Sequence, residues 1–183
     1  RFSPGDDVRH LQAARGTPLN RGLPALLAVG VALLGLGADQ ASKGAVLGAL
    51  TPGRPVEVIG TLLRFNLTFN PGAAFSLGTS MTLALSIFAI VALLACVFVA
   101  LRRVRTLPQG LAVGLFMAGI SGNLHDRLLR APGPLLGHVV DFIQLPHFAI
   151  FNVADICITS AAVLVVLLSL RGSSGEEKRT EQA

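Results

Sequence analysis

The chain has 183 residues, room for one domain, and 52% of them are hydrophobic while only 14% are charged. Soluble domains carry roughly a quarter charged residues, so this composition, with a mean hydropathy of +0.66, excludes an ordinary soluble domain and points to a bilayer-spanning chain. A net charge of +5 with 5% aromatic residues and no dense basic stretch gives no reason to expect a nucleic-acid partner.

Residues 1–22 are polar and lack the small-residue cleavage site of a signal peptide; they read as a soluble cytoplasmic arm. A spanning helix needs about 20 mostly apolar residues, because each adds ~1.5 Å against a ~30 Å hydrocarbon core. Four segments meet that expectation: Leu23 to about Ala41, Met81 to Leu101, Leu107 to about Leu124, and Val153 to Leu170. Between the first two, Leu63, Phe65, Leu67 and Phe69 alternate with polar residues, the period of a half-buried strand, and Val56 and Val58 suggest its partner. A short stretch, Val139–Ile143, lies among prolines before the fourth span. The expected fold is therefore an all-α membrane protein of four transmembrane helices carrying a small extracytoplasmic β platform. The tail, 171–183, is charged, rich in small residues and expected to be disordered.

Loop charge sets the orientation. With both termini inside, the inner segments hold Arg1, Arg9, Arg15, Arg21, Arg102, Arg103, Arg105, Arg171, Lys178 and Arg179. The outer ones hold only Lys43, Arg54, Arg64, Arg127 and Arg130. The positive charge orients the chain in its membrane. Cys96 and Cys157 lie in separate apolar stretches with no Cys-x-x-Cys and no histidine at ligand spacing, so they read as small buried residues, and no metal or cofactor is expected.

On this topology Asp39, Asp126 and Asp155 converge on one membrane face. Each has an ordinary structural explanation: Asp39 and Lys43 form an i,i+4 brace, Asp126 precedes Arg127, and Asp155 suits a helix N-terminus. Together they suggest chemistry, because acids near the hydrocarbon are costly and usually functional. Two adjacent carboxylates share a proton, and such a pair can activate water against a carbonyl without a metal or a nucleophilic side chain. The pair expected from position is Asp126 with Asp155. A small ion-coupled transporter or proton relay is the alternative, but it would spread acids through the membrane depth.

Five motifs then bear a resemblance. Asp39-Gln-Ala-Ser42-Lys43, Asn70-Pro-Gly72-Ala73-Ala74-Phe75-Ser76, Gly119-Ile-Ser-Gly122-Asn123-Leu-His-Asp126-Arg127, Val139-Val140-Asp141-Phe142 and Phe151-Asn152-Val-Ala154-Asp155 occur in this order. They resemble the signatures of bacterial lipoprotein signal peptidases (signal peptidase II), over nearly all of the chain from first to fourth span. The resemblance implies that residues 23–170 form a four-helix membrane peptidase domain in the bacterial cytoplasmic membrane, its active site at the outer face. It implies cleavage of diacylglyceryl-modified prolipoproteins just before the lipidated cysteine, and inhibition by globomycin-type cyclic peptides; membrane lipids are the other expected partners. Asp126 and Asp155 match the catalytic pair, and Asp39, Lys43, Asn70, Gly72, Asn123, Arg127, Asp141 and Asn152 match supporting or substrate-binding positions.

Overall fold

The computed structural model describes the backbone of residues 22–72 and 78–180. Helix α1 (Gly22–Ala49) leads into strands β1 (Val56–Ile59) and β2 (Leu63–Asn70). Helix α2 (Gly78–Ala95) continues through a π-helical turn, Cys96–Ala100, and a last α-turn, Leu101–Arg103. Helix α3 (Leu107–Leu129), strand β3 (Val139–Gln144) and helix α4 (Val153–Thr180) complete the order. The expected platform is present as a three-stranded antiparallel sheet, β1-β2-β3. It gains in β3 a strand that the alternating pattern alone did not assign.

Among the described residues, three helical segments are long and apolar enough to cross a membrane: Gly22–Ala49, Met81–Arg103 and Val153–Leu170. The third expected span is a helix but not one of these. The reason lies in its position: α3 is the central helix, and it buries Gly110, Ala112, Gly114, Met117, Ala118, Gly119 and Gly122. Its composition answers to protein neighbours rather than to lipid. Its start is fixed by a capping box in which Thr106 accepts from the Gln109 amide and Gln109 accepts from the Thr106 amide, with Pro108 in the first turn.

Glycines set how closely α3 approaches its neighbours. A Cβ on Gly110 would lie 2.4 Å from the Pro24 carbonyl oxygen of α1, and one on Gly119 2.4 Å from the Ala154 carbonyl oxygen of α4. Backbones can meet this closely only where no side chain intervenes. The sheet rests on the end of α1, where Val46, Leu67, Val140 and Phe142 form a buried cluster and Phe65 meets Phe142 edge-on, ring centroids 5.9 Å apart. Because strand residues alternate in facing, Val140 and Phe142 on this core leave Asp141 on the opposite face.

Two helix ends lie farther out than expected. Helix α1 runs past Ala41 to Ala49, which puts Asp39 and Lys43 inside it rather than at its end. Helix α4 runs past Leu170 to Thr180, so residues 171–180 of the expected disordered tail are helical, in keeping with the helix formers Glu176, Glu177, Lys178 and Arg179. The arm 1–21 and the last three residues lie outside the described part.

The packing predicts a contrast. Gly119→Ala should destabilise the protein by about 1–3 kcal/mol, through overpacking against α4. Gly30→Ala, where an added Cβ meets nothing within 4 Å, should be neutral or slightly stabilising. Thermal unfolding in detergent measures both, and equal losses would contradict the close-approach account.

Candidate active site

All the predicted site residues lie at the sheet end of the bundle, but the structure sorts the acids into two groups. The first surrounds Lys43, whose side chain is 0% exposed. Its Nζ lies 2.8 Å from Asp39 Oδ2 and 2.7 Å from Asp126 Oδ2, and donates to Asn123 Oδ1 at 3.2 Å. The expected Asp39–Lys43 brace thus exists, buried and shared with α3. Asp126 is also 0% exposed: Arg130 Nε reaches its Oδ1 at 2.6 Å, and the Val140 amide donates to its Oδ2 at 3.2 Å. Both of its oxygens are taken by cations and by β3.

The second group contains Asp141 and Asp155. Asp155 is placed by the start of α4. The Asn152 side chain accepts from the Asp155 amide and the Asp155 carboxylate accepts from the Asn152 amide, each at 3.1 Å. This reciprocal pair is a capping box with Asp in place of Glu. The next orphan donor of the helix, the Ala154 amide, is met from α1 by Asp39 Oδ1 at 2.9 Å. Asn123 Nδ2 donates to the other oxygen of Asp155, Oδ1, at 2.9 Å.

Asp141 is brought near by the chain after β3, which folds back so that Phe151 pairs with Ile143. That return sets Asn152 beside Asp141. Asn152 Nδ2 donates to Asp141 Oδ1 at 2.6 Å and Asn70 Nδ2 donates to Oδ2 at 2.9 Å. Asn152 therefore binds both carboxylates, one through its side chain and one through its backbone. Burial pushes the Asp141 carboxyl up to about 6, the Asn70 hydrogen bond opposes that rise, and the nearby Asp155 charge adds to it.

Each acid of this second group also borders open space. Asp141 lines a cavity of about 360 Å³ with Thr68, Phe69, Asn70 and Gly72. Asp155 lines another of about 390 Å³ with Phe148, Phe151 and Ile156. Gly72 adopts φ +86° and donates to Asn70 Oδ1 at 2.7 Å, which orients the amide toward Asp141. A Cβ on Gly72 would lie 3.2 Å from Arg127 Nη2, so Arg127 packs beneath this turn. Residues 73–77, which include Ala73 to Ser76 of the Asn-Pro-Gly motif, lie outside the described residues.

Sequence reasoning missed Gln40 and Arg130. Gln40 Nε2 donates to Asp39 Oδ2 and to the Gly122 carbonyl. Arg130 stands four residues after Asp126, the same spacing as Lys43 after Asp39, and that repeated pattern could have found it. Among the described residues no group of three His, Cys, Asp or Glu side chains is placed to hold a metal ion.

Removing one member of a buried ion cluster leaves an uncompensated charge. Lys43→Met should therefore destabilise by about 3–5 kcal/mol, and Asp126→Asn in the same direction, whereas Asp141→Asn should cost far less. Thermal unfolding of the purified variants measures this, and an unchanged midpoint for Lys43→Met would contradict it.

Comparison with known proteins agrees with this architecture. A family model described as signal peptidase (SPase) II matches residues 31–171. The chain is 44% identical to the lipoprotein signal peptidase of Streptomyces coelicolor over 144 residues, covering 78% of this chain and 69% of that one. It is 40% identical to that of Streptomyces griseus over 162 residues, 88% of this chain and 80% of the other. With that of Mycobacterium tuberculosis H37Rv it shares 41% identity over 152 residues, 83% and 74% of the two chains. Two solved structures described as a bacterial membrane enzyme superpose with TM-scores of 0.71 and 0.70 at 28% and 29% identity. They cover 81% and 78% of this chain, and 90% and 92% of their own. The match of the family model over most of the chain shows that it belongs to the signal peptidase II family.

Proposed function

We propose that the protein is a membrane-embedded aspartic endopeptidase that removes signal peptides from diacylglyceryl-modified prolipoproteins, with Asp141 and Asp155 as its reacting carboxylates. The observation that carries this reading is Asn152 bound to both acids, each of which borders a cavity. Asp126, expected from sequence to be one of the pair, is held between two cations with no exposed surface. A carboxylate so engaged has no room for water, and its role in this reading is to hold Lys43, Arg130 and β3 in place.

The chemistry needs one proton on the pair. Asp141, with its raised carboxyl, is the acid, and Asp155 the base. Asp155 takes a proton from water as the water oxygen attacks the scissile carbonyl, while Asp141 gives its proton to the carbonyl oxygen. On collapse, the proton on Asp155 passes to the leaving amine and Asp141 recovers its own, so the shared proton is restored.

The substrate side is also furnished. Two cavities lie along α4, one from Asp155 and Ile156 and the next past Val163 to Leu167, and both are lined by Thr159 and Ser160. Twelve residues at ~1.5 Å each give about 18 Å, near the depth of one leaflet of a ~30 Å hydrocarbon core. An acyl chain on the cysteine beside the scissile bond would fit this course. In this reading α3 is a fourth span shielded by its neighbours, residues 23–170 form the peptidase domain, and residues 1–22 and 171–183 are cytoplasmic. The sheet and the site then face the outer side of the bacterial cytoplasmic membrane. A globomycin-type cyclic peptide would compete at the same carboxylates. The transporter alternative has little support, since among the described spanning segments the acids gather at one end.

Asp141→Asn and Asp155→Asn should each lower cleavage of a lipidated prolipoprotein by roughly 10²–10⁴-fold while the protein stays folded. The pair Asp126–Asp155 predicts the opposite pattern, with Asp141→Asn active, and that result would overturn the assignment.

The pH dependence carries a sign. A raised carboxyl favours the protonated form, so the acid is fully present below its value and lost above it. kcat/KM, which reports the free enzyme, should therefore fall as pH rises through about 6. A profile rising across that interval would contradict Asp141 as the acid.

A further inference from the structure

The segment between α3 and β3 borders a separate cavity of about 560 Å³, lined by Phe69, Leu129, Arg130, Ala131 and His138. Nothing in the cleavage reaction uses it. Its lining is amphiphilic. Leu129 is 72% exposed and Phe69 43% exposed, so both present apolar surface at the cavity. Beside them stand Arg130 and His138.

Arg130 is prepared to bind an anion. Its Nε is committed to the buried Asp126 at 2.6 Å, which fixes the plane of the guanidinium. Its Nη nitrogens have no protein partner among the described residues. A fixed guanidinium with open donors matches the geometry of a phosphate better than that of a single point charge. His138 adds a second nitrogen base to the same lining, and its own side chain makes no ion pair among the described residues.

Cationic donors alone would suit any anion, and exposed apolar side chains alone would suit any lipid. Their union in one cavity, beside the sheet of a chain that carries helices apolar enough to span a bilayer, narrows the choice. We propose that this cavity binds an anionic phospholipid, its phosphodiester on Arg130 and His138 and the start of an acyl chain against Leu129 and Phe69. Phe69 also lines the Asp141 cavity, so the bound lipid would adjoin that cavity across a single side chain. This inference needs the chain to be in a membrane but does not depend on which acids cleave the substrate.

The full chain, reconstituted in nanodiscs of equal parts phosphatidylglycerol and phosphatidylcholine, tests it with spin-labelled forms of each lipid. Electron spin resonance should show the labelled phosphatidylglycerol held at the protein in preference to phosphatidylcholine, by roughly fivefold if one cation acts at the interface. Arg130→Gln and His138→Gln should each reduce that preference, and His138→Gln decides the matter if Arg130→Gln fails to fold. Arg54→Gln, at an exposed arginine before β1, should leave it unchanged. An equal loss in Arg54→Gln, or no loss at position 138, would overturn the proposal by showing general surface charge. Added inorganic phosphate should not displace the lipid; displacement would show a site for free phosphate instead.

Discussion

The Lys43 ammonium lies in the interior between two carboxylates and one amide oxygen, with no exposed surface. An ion taken out of water costs several kcal/mol unless its partners are close and well placed. Here those partners come from α1 and α3, so the lysine ties the first and third helices at one depth. The second oxygens of its carboxylates extend the tie: Asp39 reaches the α4 amide at Ala154, and Asp126 reaches Arg130 while its Lys43-facing oxygen also meets β3 at Val140. One buried cation thereby sets the register of α1, α3, α4 and the sheet.

That register is what brings Asp141 and Asp155 together. Asp155 sits at the third position of a helix whose first turn is held by Asp39 and Asn152. Asp141 sits on a strand whose preceding residue is held by Asp126. The two acids that bind Lys43 are engaged by cations and backbone amides, while the other two lie beside cavities and are bridged by Asn152. The division has a physical basis for Asp141, where burial and the neighbouring Asp155 charge favour the protonated form.

Much of this was legible in the sequence. The Asp39–Lys43 spacing announced a brace, the alternation from Leu63 to Phe69 announced β2, and the motifs announced the family. The distinction between Asp126 and Asp141 was not legible. Position along the chain placed both near one membrane face, but only the facing of a helix turn toward Lys43 and the return of Phe151 onto β3 separate them. The third helix is weakly legible for a related reason: its glycines and alanines pack against protein, so it lacks the hydropathy of the three most apolar helices. Asp141 did leave one signal, an acid set among Val139, Val140, Phe142 and Ile143 where a strand would otherwise be apolar.

In the proposed reading Asp141, buried but bordering a cavity, holds the proton of the pair, while Asp126 is engaged by Lys43 and Arg130. A hydrophobic carbodiimide reacts with protonated carboxyls, so the purified protein can be treated at mildly acidic pH and its modified residues mapped by mass spectrometry. The account predicts adducts on Asp141 that form in step with loss of cleavage, and an unmodified Asp126. Modification of Asp126 as fast as Asp141, or inactivation with Asp141 untouched, would contradict it.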